Sequence, residues 1–159
     1  MRVVVAQLNP IVGDLEGNTQ KIIQAIERAR EREADIILFP ELTLCGYPPE
    51  DLLLHPSFID AQQRYLEMII RSSARLMVVV GLVRRNTSQG EKPIFNSAAV
   101  IQDGVLIGYE DKRLLPTYDV FDERRYFEPG TQTRLFEWKG KKIGILICED
   151  IWQHAGYVG

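Results

Sequence analysis

Cysteine and histidine are both scarce in this 159-residue chain, with two of each. The cysteines, Cys45 and Cys148, form no C-x-x-C pair, and the histidines, His55 and His154, stand at no ligand spacing. Neither pattern supports a metal site. No GxxxxGK[ST] or GxGxxG run occurs, so the chain carries no phosphate loop of its own. No apolar stretch approaches the roughly 18 residues that span a bilayer. The opening MRVVVAQLNP turns polar after a short apolar run and shows no small-residue cleavage site, so it reads as a first strand. Charge of one sign is also lacking. A net charge of −3 argues against a nucleic-acid or anionic-membrane surface. With no secretion signal, two unpaired thiols suit a reducing compartment, and the expected setting is the cytoplasm.

What is present is an ordinary globular composition, 45% hydrophobic and 26% charged, at a length that buries one core. Val3 to Leu8 is a continuous apolar run of the kind buried on both faces. A helix is expected from about Thr19 to Glu33 with Asn18 as its N-cap, because Ile22, Ile23, Ile26 and Ala29 share one face. Asp35 to Phe39 forms a second strand, closed by Pro40. Ser57 caps a second helix running to about Arg75, and Met77 to Val83 is a third strand. The period then changes. Asp103-Gly104 and Lys139-Gly140 each separate two strand-like runs, which predicts two hairpins. The chain is α/β, with βαβα first and hairpins after. Residues 114 to 133 lack periodicity, and a loop that long in a compact domain is usually functional.

Three residues sit at or just beyond the ends of expected strands: Glu41 in FPEL, Lys112 in YEDKRLLP and Cys148 in GILICEDI. In α/β sheets, sites gather outside the carboxyl ends of strands. If those strands are parallel neighbours, the three side chains meet at one rim. A free thiol titrates near ~8.5 and needs a base or a cation to attack at neutral pH. Glu41 could take its proton, and Lys112 could offset the acidity of Glu149 and Asp150 and hold an oxyanion. Taken singly, each has a plainer reading. A lone cysteine is more often a small core hydrophobe, a glutamate after proline a loop charge, and a lysine a solvated one. Cys45 reads as structural.

Together, FPELTLCGYPPEDLL, YEDKRLLPTYDVFDERRYFEPG and GILICEDIW resemble the three signature segments of the nitrilase superfamily, in order. That family hydrolyses or condenses non-peptide C–N bonds through a Glu-Lys-Cys triad. GYPPEDLL, LPTYDVFDERRYF and CEDIW are similar, more narrowly, to the glutaminase domains of glutamine-dependent NAD+ synthetases. The resemblance spans essentially the whole chain, from AQLNP onward. It implies Glu41 as general base, Lys112 as stabiliser of the oxyanion, and Cys148 as the acylated nucleophile. Glu123 would be a second, supporting glutamate; otherwise it is an exposed charge in an Arg-rich loop. Tyr118, Phe121 and Glu149 match positions lining the glutamine pocket, although the two aromatics also read as loop packing.

The implied fold is a nitrilase-like αββα sandwich, and residues 1–159 would form its N-terminal part. The chain stops eleven residues beyond Cys148, so later strands and the second helix layer are expected to be missing. The synthetase domain that would take up the ammonia, with its ATP and Mg2+, is expected to lie outside this chain, which shows no SGGxDS-like loop. No cofactor or metal is expected on the residues present. An incomplete sandwich would expose an edge and an apolar face, which predicts association with itself or a partner, a homo-oligomer being the expected form. Two other readings stand beside this one: a stand-alone amidase or carbamoylase acting on another small amide, and a non-catalytic interaction module.

Overall fold

A computed structural model of the chain describes residues 1–88 and 90–152; His154 lies outside them. Five strands form one sheet in the order β1-β2-β3-β4-β5: β1 (Val3–Val5), β2 (Ile36–Leu38), β3 (Met77–Arg85), β4 (Ile94–Gln102) and β5 (Val105–Asp111). The first three run parallel, because a helix returns the chain across the sheet between each pair. The last two are antiparallel, because the Asp103-Gly104 turn reverses it. Both turn residues have positive φ, 50° and 79°, as a type I′ hairpin requires.

The helices α1 (Leu15–Glu31) and α2 (Pro56–Ser72) cover one face of the sheet. Ile22, Ile26, Ile59, Leu66 and Ile69 are buried there against Ile37, Val78, Val80 and Ile101. Both helices begin earlier than the sequence pattern suggests. Asp14, not Asn18, caps α1, its Oδ1 accepting the Gly17 N–H at 2.9 Å. Asn18 is buried inside the helix, where its side chain bonds both polar backbone groups of Ile11 and the Leu44 carbonyl. His55, not Ser57, takes the N-cap position of α2, and Pro56 follows it at the first helical position, which its fixed φ suits.

On the opposite face lies a second sheet, the hairpin of β6 (Leu135–Trp138) and β7 (Lys141–Gly144), turned by Lys139-Gly140 at φ 47° and 74°. Phe136, Trp138, Ile145 and Ile147 pack on Ile36, Met77, Val79, Ala98 and Val100. Alternate residues of β3 therefore serve two cores: Val78 and Val80 the helices, Met77 and Val79 the second sheet. The layers run helix, sheet, sheet, the first three of the expected αββα order. β1 is an outer strand of the larger sheet, and its Val5 is 70% exposed. Among the described residues, no helix is long and apolar enough to cross a membrane.

Candidate active site

The condition of parallel, neighbouring strands is not met for Glu41 and Lys112, and the sheet order shows how the site is built instead. β2 and β5 point the same way, but β3 and β4 lie between them. At about 4.8 Å per strand, their ends are roughly 14 Å apart. The chain after β2 closes that gap by crossing over β3 at Gly81. A Cβ on Gly81 would stand 2.4 Å from Leu42 N and 2.7 Å from the Pro40 carbonyl oxygen, so only glycine admits the crossing. The Leu44 N–H donates to the Gly81 carbonyl at 3.0 Å, and Leu42 takes a positive φ of 48° to make the bend. Glu41 is thereby carried over the sheet toward β4 and β5.

There it meets Lys112, the residue after β5, whose side chain is fully buried. Lys112 Nζ donates to Glu41 Oε1 at 2.7 Å and lies 2.8 Å from Glu123 Oε2. Glu123 sits in a 3₁₀ turn, Glu123–Arg125, and also accepts the Tyr47 hydroxyl at 2.9 Å. It is buried, not the exposed charge that its Arg-rich neighbours suggest. Burial pulls the ammonium of Lys112 down, but Glu41 and Glu123 outweigh it and hold its proton above the ordinary lysine range. Burial likewise pushes the Glu123 carboxyl up, against the bond from Lys112.

Cys148 stands across from this pair. It opens a 3₁₀ turn, Cys148–Trp152, at a positive φ of 48°. Glu41, Asn96, Gly81, Ile147 and Cys148 line one cavity of about 180 Å³ between the two sheets. The two cysteines are easily told apart. Cys45 is buried and its thiol is pushed up to about 12, whereas Cys148 is exposed. The Cys148 thiol is itself raised, by burial first and then by the Glu41 carboxylate. Lys112 pulls the other way without cancelling them, so the expected offset by Lys112 is only partial. The resting group is a protonated thiol facing a carboxylate.

The remaining expected residues, Tyr118, Phe121 and Glu149, form one contact network beside Cys148. Tyr118 Oη donates to Glu149 Oε2 at 2.8 Å, and Phe121 packs edge-on to Tyr118 with ring centroids 5.7 Å apart. Two contributors escaped the sequence reading. Asp150 is buried and accepts three backbone N–H groups: Arg113 at 3.0 Å, Leu114 at 2.9 Å and Ile147 at 3.2 Å. It ties the Cys148 turn to the segment after Lys112. Asn96 on β4 donates from Nδ2 to Glu41 Oε1 at 2.7 Å. Its only sequence signal is a polar residue in an apolar strand. Among the described residues, no group of three or more His, Cys, Asp or Glu is placed to hold a metal.

A carboxylate, a buried ammonium and an exposed thiol, brought to one rim from three segments, are the elements of amide hydrolysis by acyl transfer to sulfur. The carbon-nitrogen hydrolase family model matches residues 2–158. The chain belongs to that family. Among curated carbon-nitrogen hydrolase relatives, the glutamine-dependent NAD(+) synthetase of Acinetobacter baylyi is 42% identical over 151 residues, 95% of this chain and 27% of its own length. That of Thermotoga maritima is 44% identical over 96% of this chain and 26% of its own. The chain thus spans about a quarter of the length of these relatives. The solved glutamine-dependent NAD+ synthetase of Acinetobacter baumannii superposes with a TM-score of 0.86 at 43% identity, covering 94% of this chain and 28% of that one. A Nesterenkonia amidase with acrylamide added at its active-site cysteine gives a TM-score of 0.77 at 26% identity, over 95% and 58% of the two chains.

Proposed function

We propose that residues 1–159 belong to a nitrilase-type glutaminase domain that releases ammonia from glutamine for a glutamine-dependent NAD+ synthetase. The observation that carries the reading is Lys112, buried between Glu41 and Glu123, with Glu41 in turn lining the cavity that holds Cys148. A buried lysine is costly to maintain for stability alone and is suited to a developing negative charge. The identity of about 42% to NAD(+) synthetases over nearly the whole chain supports glutamine as the amide.

The steps follow from the geometry. Glu41 takes the proton of the Cys148 thiol as Sγ attacks the side-chain amide carbon of glutamine. Glu41 and Glu123 occupy two of the three Lys112 N–H donors. The third is left for the oxyanion of the tetrahedral intermediate. Glu41 then passes its proton to the amide nitrogen, the C–N bond breaks, and ammonia leaves a γ-glutamyl thioester. Glu41 next deprotonates water, which attacks the thioester carbon. The C–S bond breaks, glutamate departs, and the sulfur regains a proton. Ammonia goes to a synthetase domain that uses ATP and Mg2+, and none of those steps calls on residues described here.

The likeness to a Nesterenkonia amidase favours a second reading, hydrolysis of another small amide by a stand-alone enzyme. A turnover screen of glutamine against simple aliphatic amides separates the two. The main test is Cys148→Ala in the full-length protein. It should abolish glutamine-dependent NAD+ synthesis and leave ammonia-dependent synthesis intact; loss of both overturns the division of labour.

A further inference from the structure

We propose that Asn96 is the positioning residue of the general base, fixing which oxygen of Glu41 faces the nucleophile. The inference rests on the glutaminase reading only in naming Glu41 as the base. Two donors, Asn96 Nδ2 and Lys112 Nζ, converge on the same carboxylate oxygen, Oε1, each at 2.7 Å. That leaves Oε2 to receive the thiol proton of Cys148, which shares the cavity with Glu41 and Asn96. The amide orientation of Asn96 is set by chemistry, because a carboxylate only accepts and the opposite rotamer would press two oxygens together.

Three further observations separate this role from packing. Asn96 is 1% exposed, yet its Oδ1 finds no donor among the described residues. A buried acceptor without a partner weakens the fold, so the side chain is not there for stability. Its backbone carbonyl accepts the backbone N–H of Lys112 at 2.9 Å, so the same residue holds the base and anchors the main chain of the lysine. Finally, it stands on β4 between the two strand ends that the crossing at Gly81 must bring together. A donor rooted in the central sheet is more rigid than one on the loop that carries Glu41.

The test reads the coupling of Asn96 to Cys148 through Glu41, and then turnover. The charged and titratable groups facing Glu41 are Lys112, Cys148, Glu123 and Tyr47, and all are kept. Alkylation of Cys148 by chloroacetamide is followed against pH in the wild type, Asn96→Leu, Glu41→Gln and the double variant. Asn96→Leu removes a donor from the carboxylate, so the thiol holds its proton harder and the midpoint rises by about half to one pH unit. With Glu41→Gln already in place, adding Asn96→Leu should leave the midpoint unmoved. Glutamine turnover by Asn96→Leu should fall about tenfold to a hundredfold in kcat with KM within about twofold. Its melting temperature should equal or exceed that of the wild type.

A midpoint shift that persists in the Glu41→Gln background overturns the proposal, as does an unshifted midpoint in Asn96→Leu alone. A rise in KM matching the loss in kcat, or a lowered melting temperature, does the same. If the coupling holds but glutamine is not hydrolysed by the wild type, the substrate reading fails and the role of Asn96 stands.

Discussion

Asp150, two residues beyond Cys148, accepts the N–H of Leu114, two residues beyond the buried Lys112, at 2.9 Å. The bond joins two segments on different sheets whose reactive groups must share one substrate. With the bonds from Arg113 and Ile147 it makes Asp150 the clamp of the Cys148 turn. The clamp matters because Cys148 sits at a φ of 48°, which an L side chain adopts only when its surroundings over-determine it. Asp150→Ala leaves three N–H groups without their acceptor. At about 1–3 kcal/mol for each buried orphan, a loss of about 3 kcal/mol or more is expected in urea unfolding. Asp150→Asn keeps the shape and one acceptor. It should cost about 1–2 kcal/mol and still reduce turnover, because the turn can swing.

Gly81 offers a second structural test. A Cβ added there would meet backbone, not a flexible side chain, so Gly81→Ala cannot be absorbed by a rotamer change. The crossing segment must lift, and Glu41 moves with it. A destabilisation of about 1–3 kcal/mol is expected, as for other overpacked positions. A fall in glutaminase rate larger than that at a comparably destabilised site remote from the rim should accompany it. Equal melting temperatures for the variant and wild type would show that the crossing is not tight.

The two hairpins were legible because Asp-Gly and Lys-Gly pairs state a turn locally, and Glu41, Lys112 and Cys148 were legible as candidates because each lies in a distinctive segment. How the triad assembles was not. A reading strand by strand pairs β4 with β5 through Asp103-Gly104 but cannot tell that β3 and β4 hold β2 and β5 apart. Gly81 in VVVGLV looks like a weakness in a strand until the segment crossing it is known. Asn96 and Asp150 act through pairings 55 and 36 residues away in sequence, and no local pattern encodes those. The cap of α1 was missed for a smaller reason: both Asp14 and Asn18 are good caps, and Asn18 is taken by the Ile11 and Leu44 backbone.

Cys45 predicts an alkaline limit to stability. Burial raises its thiol from 9.0 to about 12, so the folded protein keeps a proton that the unfolded chain gives up. Its contribution is therefore present in full below pH 9 and is lost as pH climbs toward 12. Three pH units correspond to about 4 kcal/mol across that window. Cys45→Ala removes this dependence, so its unfolding free energy should fall less steeply between pH 9 and pH 12 than that of the wild type. The comparison is of slopes, since the cavity left by the substitution lowers both ends alike.

Glu149 follows Cys148 directly and accepts the Tyr118 hydroxyl at 2.8 Å. That bond and the Phe121 ring beside it fix a carboxylate on the outer side of the thiol. Glutamine carries an α-ammonium at the far end from its amide, and a carboxylate held there would select it over amides with no charge. Glu149→Gln keeps the size and the bond to Tyr118 and removes the charge. The expected result is a KM for glutamine raised about twofold to fivefold, the weight of one partly exposed ion pair, with kcat nearly unchanged. An uncharged amide such as propionamide should be hydrolysed equally by the two proteins, because it never used the charge. If Glu149→Gln slows both amides alike, the carboxylate supports the turn and does not read the substrate, and the assignment to an amino-acid amide loses its specific support.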